Sequence, residues 1–488
     1  MKHATRSISI LATVGLAAAA IVAPASSASA GADGKWTQVS LDSATLNNFD
    51  SADLLRLANG SLLTGWQERG ENILYSAQTA VLAGSKKTVV QRGTVSAGWS
   101  TMAYSPKFAV VNGQIIAGYV GNHSADTNDP ANGPVLASTS VDGVTWAPSA
   151  LPISGDGADG TYGFDLVSDG LTTYTASVHT STNIIKYHKG SAADYVTDDN
   201  LAIVSATEGA NVFYPSLAID KIRGQVWSAW YVLGGSAPGI WTQRIFPTQG
   251  PAVQPPGGSG ETVLPDKGVS ITSSATGGIW VGFSVGYPTA TTVRAWSPLT
   301  GASVTIASKQ SDVSSVDLSA GPGGKLWATW IDSKGGDETI EAARSNVAKT
   351  RFGTINGIAS SNAKTGGSTF NVTGEGSINS LDVVVNATLP GDSGETGIYS
   401  SEIRPALTVI TSKKTVSAKK ATKITVKVTD AGAPVKFAKV SYAGKKYTTN
   451  AKGIVKITVK KGTKTGKMSI TTKATGYDTA TSKIAVKK

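Results

Sequence analysis

One short phrase recurs seven times along this 488-residue chain, and it leaves few folds open. An apolar strand-like run and a polar or Gly-rich turn lead into a second run that ends small, small, aromatic. The clearest copies are SLLTGW ending at Trp66, QVWSAW ending at Trp230, GIWVGF ending at Phe283 and KLWATW ending at Trp330. Looser copies are QIIAGY ending at Tyr119, TTYTAS ending at Ser177 and VVVNA ending at Ala387. The end points lie 53, 58, 53, 53, 47 and 57 residues apart. A third strand-like run follows each copy: ILYSAQ, VLASTS, IIKYHK, GIWTQR, TVRAWS, TIEAAR and GIYSSE.

Several strands per unit and a period near fifty are the mark of a β-propeller. No unit buries both faces of its sheet alone; stacking units around a ring does. Trp66, Trp227, Trp230, Trp280, Trp327 and Trp330 fall at equivalent places in their units, which assigns them to the core between blades. The seventh unit has strands near FNVTG, SLDVVVNA and GIYSSEI and lacks a fourth. The run KWTQVSL, Lys35 to Leu41, stands spare before the first unit and is expected to complete the last. The expected fold is all-β, a seven-bladed β-propeller over residues 31–404, with six blades as the alternative.

Residues 1–30 read as a secretory signal: Lys2 and Arg6, an apolar stretch from Ile8 to Val22, and the small-residue site Ala28-Ser29-Ala30. The chain has no cysteine, so disulfides, thiol catalysis and Cys-based zinc sites are excluded together. Its net charge of +11 conceals two opposite parts. Residues 405–488 hold 20 Lys against 2 Asp, about +18, which with the two cations of the signal leaves −9 for residues 31–404.

After the third run of the second unit comes SVDGVTW, Ser140 to Trp146. It resembles the Asp-box turn of the sialidase-like, BNR-repeat propellers. The matching residues are Ser140, Asp142, Gly143, Thr145 and Trp146. The resemblance implies a propeller in which the Asp ties down a hairpin turn, the Gly takes positive φ and the Trp packs beneath. It does not extend to sialidase chemistry: the chain has no Arg-Ile-Pro signature, a single recognisable Asp-box and widely scattered arginines.

Propeller ligand sites are built from loops entering the innermost strand and loops joining the second and third strands. The first set contains Asp50, Trp99, Tyr104, Lys107, Tyr162, Asp165, Tyr214, Asp317 and Glu375. The second contains Glu68, His123, His179 and Asp332. Trp99, Tyr104, Tyr162 and Tyr214 recur near the start of units two to four and suit stacking on sugar rings, with Lys107 and Glu68 at the rim. Plugging the funnel between blades would use the same aromatics. His123 and His179 fall at equivalent loop positions and would titrate near neutral pH. With Asp50 and Asp165 they are the candidate catalytic groups, for a hydrolase needing paired carboxylates or for a lyase needing a base. The motifs HExxH, P-loop and GxSxG are absent, and no cofactor or metal is expected.

Residues 405–488 alternate apolar residues with Lys or Thr, as in KITVKV and GIVKITVKK, with turns at Asp430-Ala-Gly and Asn450-Ala-Lys-Gly. The segment reads as a small antiparallel sandwich. From GAPVKFAKVSYAGKKYTTNAKGIVKITV to KATGYDTATSKIAV it resembles the bacterial Ig-like domains of wall-associated exported proteins. Its charge suits a polyanion, and it has no Arg or interleaved aromatic motif for reading nucleic acid. The expected protein is a secreted or wall-associated monomer without a membrane span. It binds a polysaccharide or glycan at the propeller and an anionic wall polymer at the tail. A secreted glycoside hydrolase or polysaccharide lyase is the alternative.

Overall fold

A computed structural model describes residues 36–41, 52–68, 73–81, 87–96, 101–122, 135–148, 163–179, 183–191, 200–205, 210–256, 269–286, 289–335, 337–359, 369–388 and 396–488. The signal-like segment lies outside them. Apart from one 3-10 turn, Pro322–Gly324, these residues are strands and turns. Among them no helix is long and apolar enough to cross a membrane.

Seven small antiparallel sheets follow one another before residue 404, here numbered I to VII. Their first strands are Asp53–Arg56, Thr101–Val111, Phe164–Ser168, Ala210–Asp220, Val269–Ser273, Val313–Ala320 and Thr369–Gly376. Sheet IV has three strands and the isolated bridge Thr242↔Val253 beside the third; the other six have four. Each first strand lies against the first strand of the next sheet, and that of sheet VII lies against that of sheet I.

The repeated phrase has a packing cause. Second strands are buried on both faces: within Gln225–Gly234 of sheet IV the run from Val226 to Val232 is continuously buried, and within Leu326–Lys334 of sheet VI the run from Leu326 to Ile331. The closing aromatic faces the preceding sheet. Trp66 packs with Val39, Val384 and Ile398 of sheet VII, Trp230 with Tyr174 and Ala176 of sheet III, and Trp330 with Val293 and Ala295 of sheet V. The small residue before it faces the following sheet. A Cβ on Gly65 would collide with the ring of Phe108, and one on Gly282 with Leu318. Small then aromatic is therefore the imprint of two neighbours at different depths.

The last sheet is completed by the N-terminal strand. Thr37–Leu41 pairs antiparallel with Thr396–Ile403, and Trp36 is buried with Trp327 and Tyr399. Arg56 of sheet I reaches back to sheet VII, pairing with the Asp382 carboxylate and donating to the Glu375 carbonyl at 3.4 Å.

The SVDGVTW turn is held by its own side chains. Asp142 Oδ1 accepts from the Val144 and Thr145 amides at 2.8 and 2.7 Å, and Gly143 has φ 75. Burial pushes the Asp142 carboxyl up, but these bonds and those from Ser140 and Thr145 hold it below its ordinary value. The turn seals against sheet I: Trp146 Nε1 donates to Ser76 Oγ at 2.9 Å, and Ser76 Oγ donates to the Gly143 carbonyl at 2.9 Å.

Residues 408–487 form two sheets around one apolar core that includes Ile424, Val440, Ile457, Ile470 and Ile484. The sandwich departs from the fully antiparallel expectation. Thr408–Thr411 belongs to one sheet, and the chain then crosses so that Thr415–Ser417 runs parallel to Ala480–Lys487 in the other. At the Asp430-Ala-Gly turn, Ala431 and Gly432 have φ 47 and 84, the two-residue hairpin geometry. This turn meets sheet VI. Asp430 Oδ2 lies 2.7 Å from Arg344 Nη2 and 2.8 Å from Lys325 Nζ, and Tyr477 Oη donates to it at 3.2 Å. Arg344 is 5% exposed and Asp430 2%. The guanidinium sits between the rings of Trp327 and Tyr477 and donates to the Ile378 carbonyl of sheet VII at 2.6 Å.

Candidate functional site

The first strands alternate: one residue enters the packing between sheets and the next points inward. The inward residues line a cavity of about 490 Å³ touched by all seven first strands, within the usual size range of small-ligand sites.

One level of this wall is polar all round: Asp53, Lys107, Asp165, Ser216, Ser270, Asp317 and Thr373, one from each sheet. Their equivalence follows from the register. Asp53 pairs Gly65, Lys107 pairs Gly118, Asp165 pairs Ala176, Ser216 pairs Ala229, Ser270 pairs Gly282 and Asp317 pairs Thr329, each the small residue before the closing position. Thr373 takes the seventh place because Asp317 reaches the amide just after it, as its counterparts do.

The belt stitches neighbouring sheets. Asp53 Oδ2 accepts from the Phe108 amide at 2.7 Å, and Asp165 Oδ2 from the Leu217 amide at 2.6 Å. Asp317 Oδ2 accepts from the Gly374 amide at 2.8 Å, and Ser270 Oγ from the Leu318 amide at 3.1 Å. In each case the amide belongs to the next first strand, one residue past the belt position. Lys107 Nζ lies 4.0 Å from Asp53 Oδ1.

The crowding of the wall changes how its acids hold protons. Burial pushes the Asp165 carboxyl up to about 6, against the opposing pull of Lys107 and the Leu217 amide. Burial also raises Asp317, opposed by the Ser270 and Gly374 bonds and by Lys107. Glu375, two residues past Thr373, is pushed up to about 7 by burial, with Asp317, Asp53 and Asp382 adding to the rise and Arg56 opposing it. These acids line the cavity yet are enclosed on most sides, so desolvation outweighs their contacts. No hydrogen bond to the Glu375 carboxyl is found among the described residues, unlike the stitched aspartates.

The rim above the belt is strained. Two residues before the belt position, Gly163, Tyr214 and Ser315 have φ 102, 49 and 50. A glycine takes that conformation freely; Tyr214 and Ser315 hold it at a cost. Registers shift at both places, between Phe213 and Ser216 and between Ser314 and Asp317. Tyr214 thereby turns into the cavity wall over Gly163.

Of the residues singled out in the sequence, Lys107, Asp165, Tyr214, Asp317 and Glu375 line this one cavity. They stand on first strands and not on entering loops. Asp332 is turned to a local task, accepting from the Ser311 amide at 2.7 Å. Glu68, Tyr104 and His179 lie in described strands, but their side chains are outside the described residues. Asp50, Trp99, His123 and Tyr162 are outside them altogether. Sequence reasoning missed Asp53 and the Ser216, Ser270 and Thr373 members. A signal existed: in the first six units a polar residue stands 12 to 14 positions before each closing residue.

No family model matches the chain, and no curated protein matches it. Among solved structures, a protein of unknown function from Dyadobacter fermentans DSM 18053 superposes with a TM-score of 0.43 at 12% identity, over 76% of this chain and 99% of that one. An endo-arabinase from Bacteroides thetaiotaomicron VPI-5482 gives 0.33 at 14%, over 61% and 92%. A protein from Lactobacillus plantarum gives 0.38 at 10%, over 69% and 94%. Likeness at this level says nothing about what this chain binds.

Proposed function

We propose that residues 31–404 form a seven-bladed β-propeller of a secreted, sialidase-like-superfamily type whose channel binds an uncharged carbohydrate. In this reading the Ig-like sandwich of residues 405–488 attaches the protein to an anionic wall polymer, and the protein acts as a monomer. The closed succession of first strands and the N-terminal strand on sheet VII support the blade number. The belt supports the ligand class. Its hydroxyls, carboxylates and single lysine present donors and acceptors around a cavity large enough for a sugar ring, while Tyr214 offers a face for C–H contact. The negative body and channel carboxylates disfavour a polyanion there.

Cleavage is the second reading, and Glu375 favours it. A carboxyl poised near 7 is the proton donor that glycosidic bond breaking requires.

The test incubates the full-length protein with plant, fungal and bacterial polysaccharides and follows retention, reducing ends and unsaturated products. Retention without products supports binding alone. Products that vanish in Glu375→Gln support cleavage. Failure to retain any neutral polysaccharide overturns the carbohydrate reading.

A further inference from the structure

The five-stranded sheet of the sandwich has an outer face made almost wholly of lysine and hydroxyl residues. Alternation along its strands sends Val440, Tyr442, Ile470, Ile484 and Val486 into the core. The opposite side of the same strands presents Lys439, Lys446, Lys467, Lys473 and Lys483, all exposed. Ser441, Thr448, Ser469 and Thr471 lie between them by register. No Asp or Glu stands in these strands.

One pairing on this face is unfavourable for folding. Lys439 lies directly opposite Lys473 across antiparallel strands, where Cβ atoms are about 5 Å apart and like charges repel. Lys439 turns its ammonium to Thr448 Oγ1 at 3.1 Å, away from that partner. Protecting an edge from aggregation needs charge at edge strands, whereas both of these strands are interior to the sheet. The outer side of the other sheet also bears lysines, Lys423, Lys427 and Lys456, but Ile410 stands 55% exposed opposite Lys427.

We infer that the outer face of the five-stranded sheet is the docking surface for a linear, base-free phosphodiester polymer. The inference rests on the reading of the tail as an attachment module and locates its surface. The face complements dense negative charge, its ammonium groups meeting single phosphates and its hydroxyls donating to phosphate oxygens. Nucleic acid and acidic polysaccharide are disfavoured because the outward residues of the four longest-register strands include no aromatic to stack a base or a sugar ring, and the tail has no arginine.

The test uses the full-length chain and poly(glycerol phosphate) as probe, with three proteins: wild type, Lys439→Ser/Lys473→Ser/Lys483→Ser, and Lys423→Ser/Lys427→Ser/Lys456→Ser. The two variants lose equal charge. The first is expected to bind at least about tenfold more weakly, with the slope of log affinity against log salt reduced by about 2; the second changes by less than about threefold. Thermal unfolding checks both folds, and the first variant is expected to be no less stable, since it relieves the Lys439–Lys473 repulsion. Equal weakening in both variants overturns the assignment to this face. Equal or tighter binding of polyuronate or single-stranded DNA at the same salt overturns the phosphodiester assignment. Wild type binding no polyanion at all overturns the attachment reading itself.

Discussion

At the scale of single residues, Glu375 sets the clearest expectation. Its carboxyl is held at about 7 against an ordinary 4.5. Between those values the folded chain keeps a proton that the unfolded chain has released. This stability is fully present below the ordinary value and is lost as pH rises through 7. Glu375→Gln is expected to raise the unfolding midpoint at about pH 8 and leave it nearly unchanged at about pH 4, a difference on the order of 1 kcal/mol. Equal shifts at the two pH values would contradict the assignment. Asp165, raised for the same reason, contributes with the same sign. Neither shift was legible in the sequence, where Glu375 and Asp165 stand as two acids among several. What raises them is enclosure by seven strands from distant parts of the chain, a property that exists only once the sheets are assembled.

At the scale of elements, the alternation in each second strand was legible and its meaning was not. Trp230 and Trp330 announced themselves as core by recurrence. That the residue before Trp66 and before Phe283 must be small because the next sheet's first strand lies against it follows only from Phe108 above Gly65 and Leu318 above Gly282. Gly282→Val is therefore expected to destabilise by about 1–3 kcal/mol through overpacking against Leu318; chemical denaturation measures it, and an unchanged midpoint would sink the packing account. The SVDGVTW turn makes a second expectation. Ser76 both accepts from Trp146 and donates to Gly143, so Ser76→Ala leaves two buried polar groups unpaired and is expected to cost about 1–3 kcal/mol in the same assay. Sequence placed Lys107, Asp165, Asp317 and Glu375 in loops because polar residues interrupt apolar runs there; the interruption is the channel face of a strand.

At the scale of the whole molecule, the ring and the sandwich are joined through buried charge. Asp430 bridges Arg344 and Lys325 of sheet VI, while Arg344 also holds the Ile378 carbonyl of sheet VII. The charge asymmetry of the chain was plain from its sequence. That one of the tail's two acids is spent on this contact was not. Asp430→Ala strands a buried guanidinium and is expected to destabilise by about 3–5 kcal/mol, with new proteolytic cleavage near Arg404-Pro405; a variant as stable and protease-resistant as wild type would contradict the docking. The proposed carbohydrate reading turns on the channel, and calorimetric titration tests it most directly. The ligand is a neutral oligosaccharide cut from a polysaccharide that the full-length protein retains, measured against wild type and Lys107→Met/Tyr214→Ala. The channel account predicts at least a roughly tenfold loss of affinity in the variant at comparable thermal stability, the loss of one charged contact and one ring face. Unchanged affinity in a folded variant would place the ligand elsewhere and contradict it.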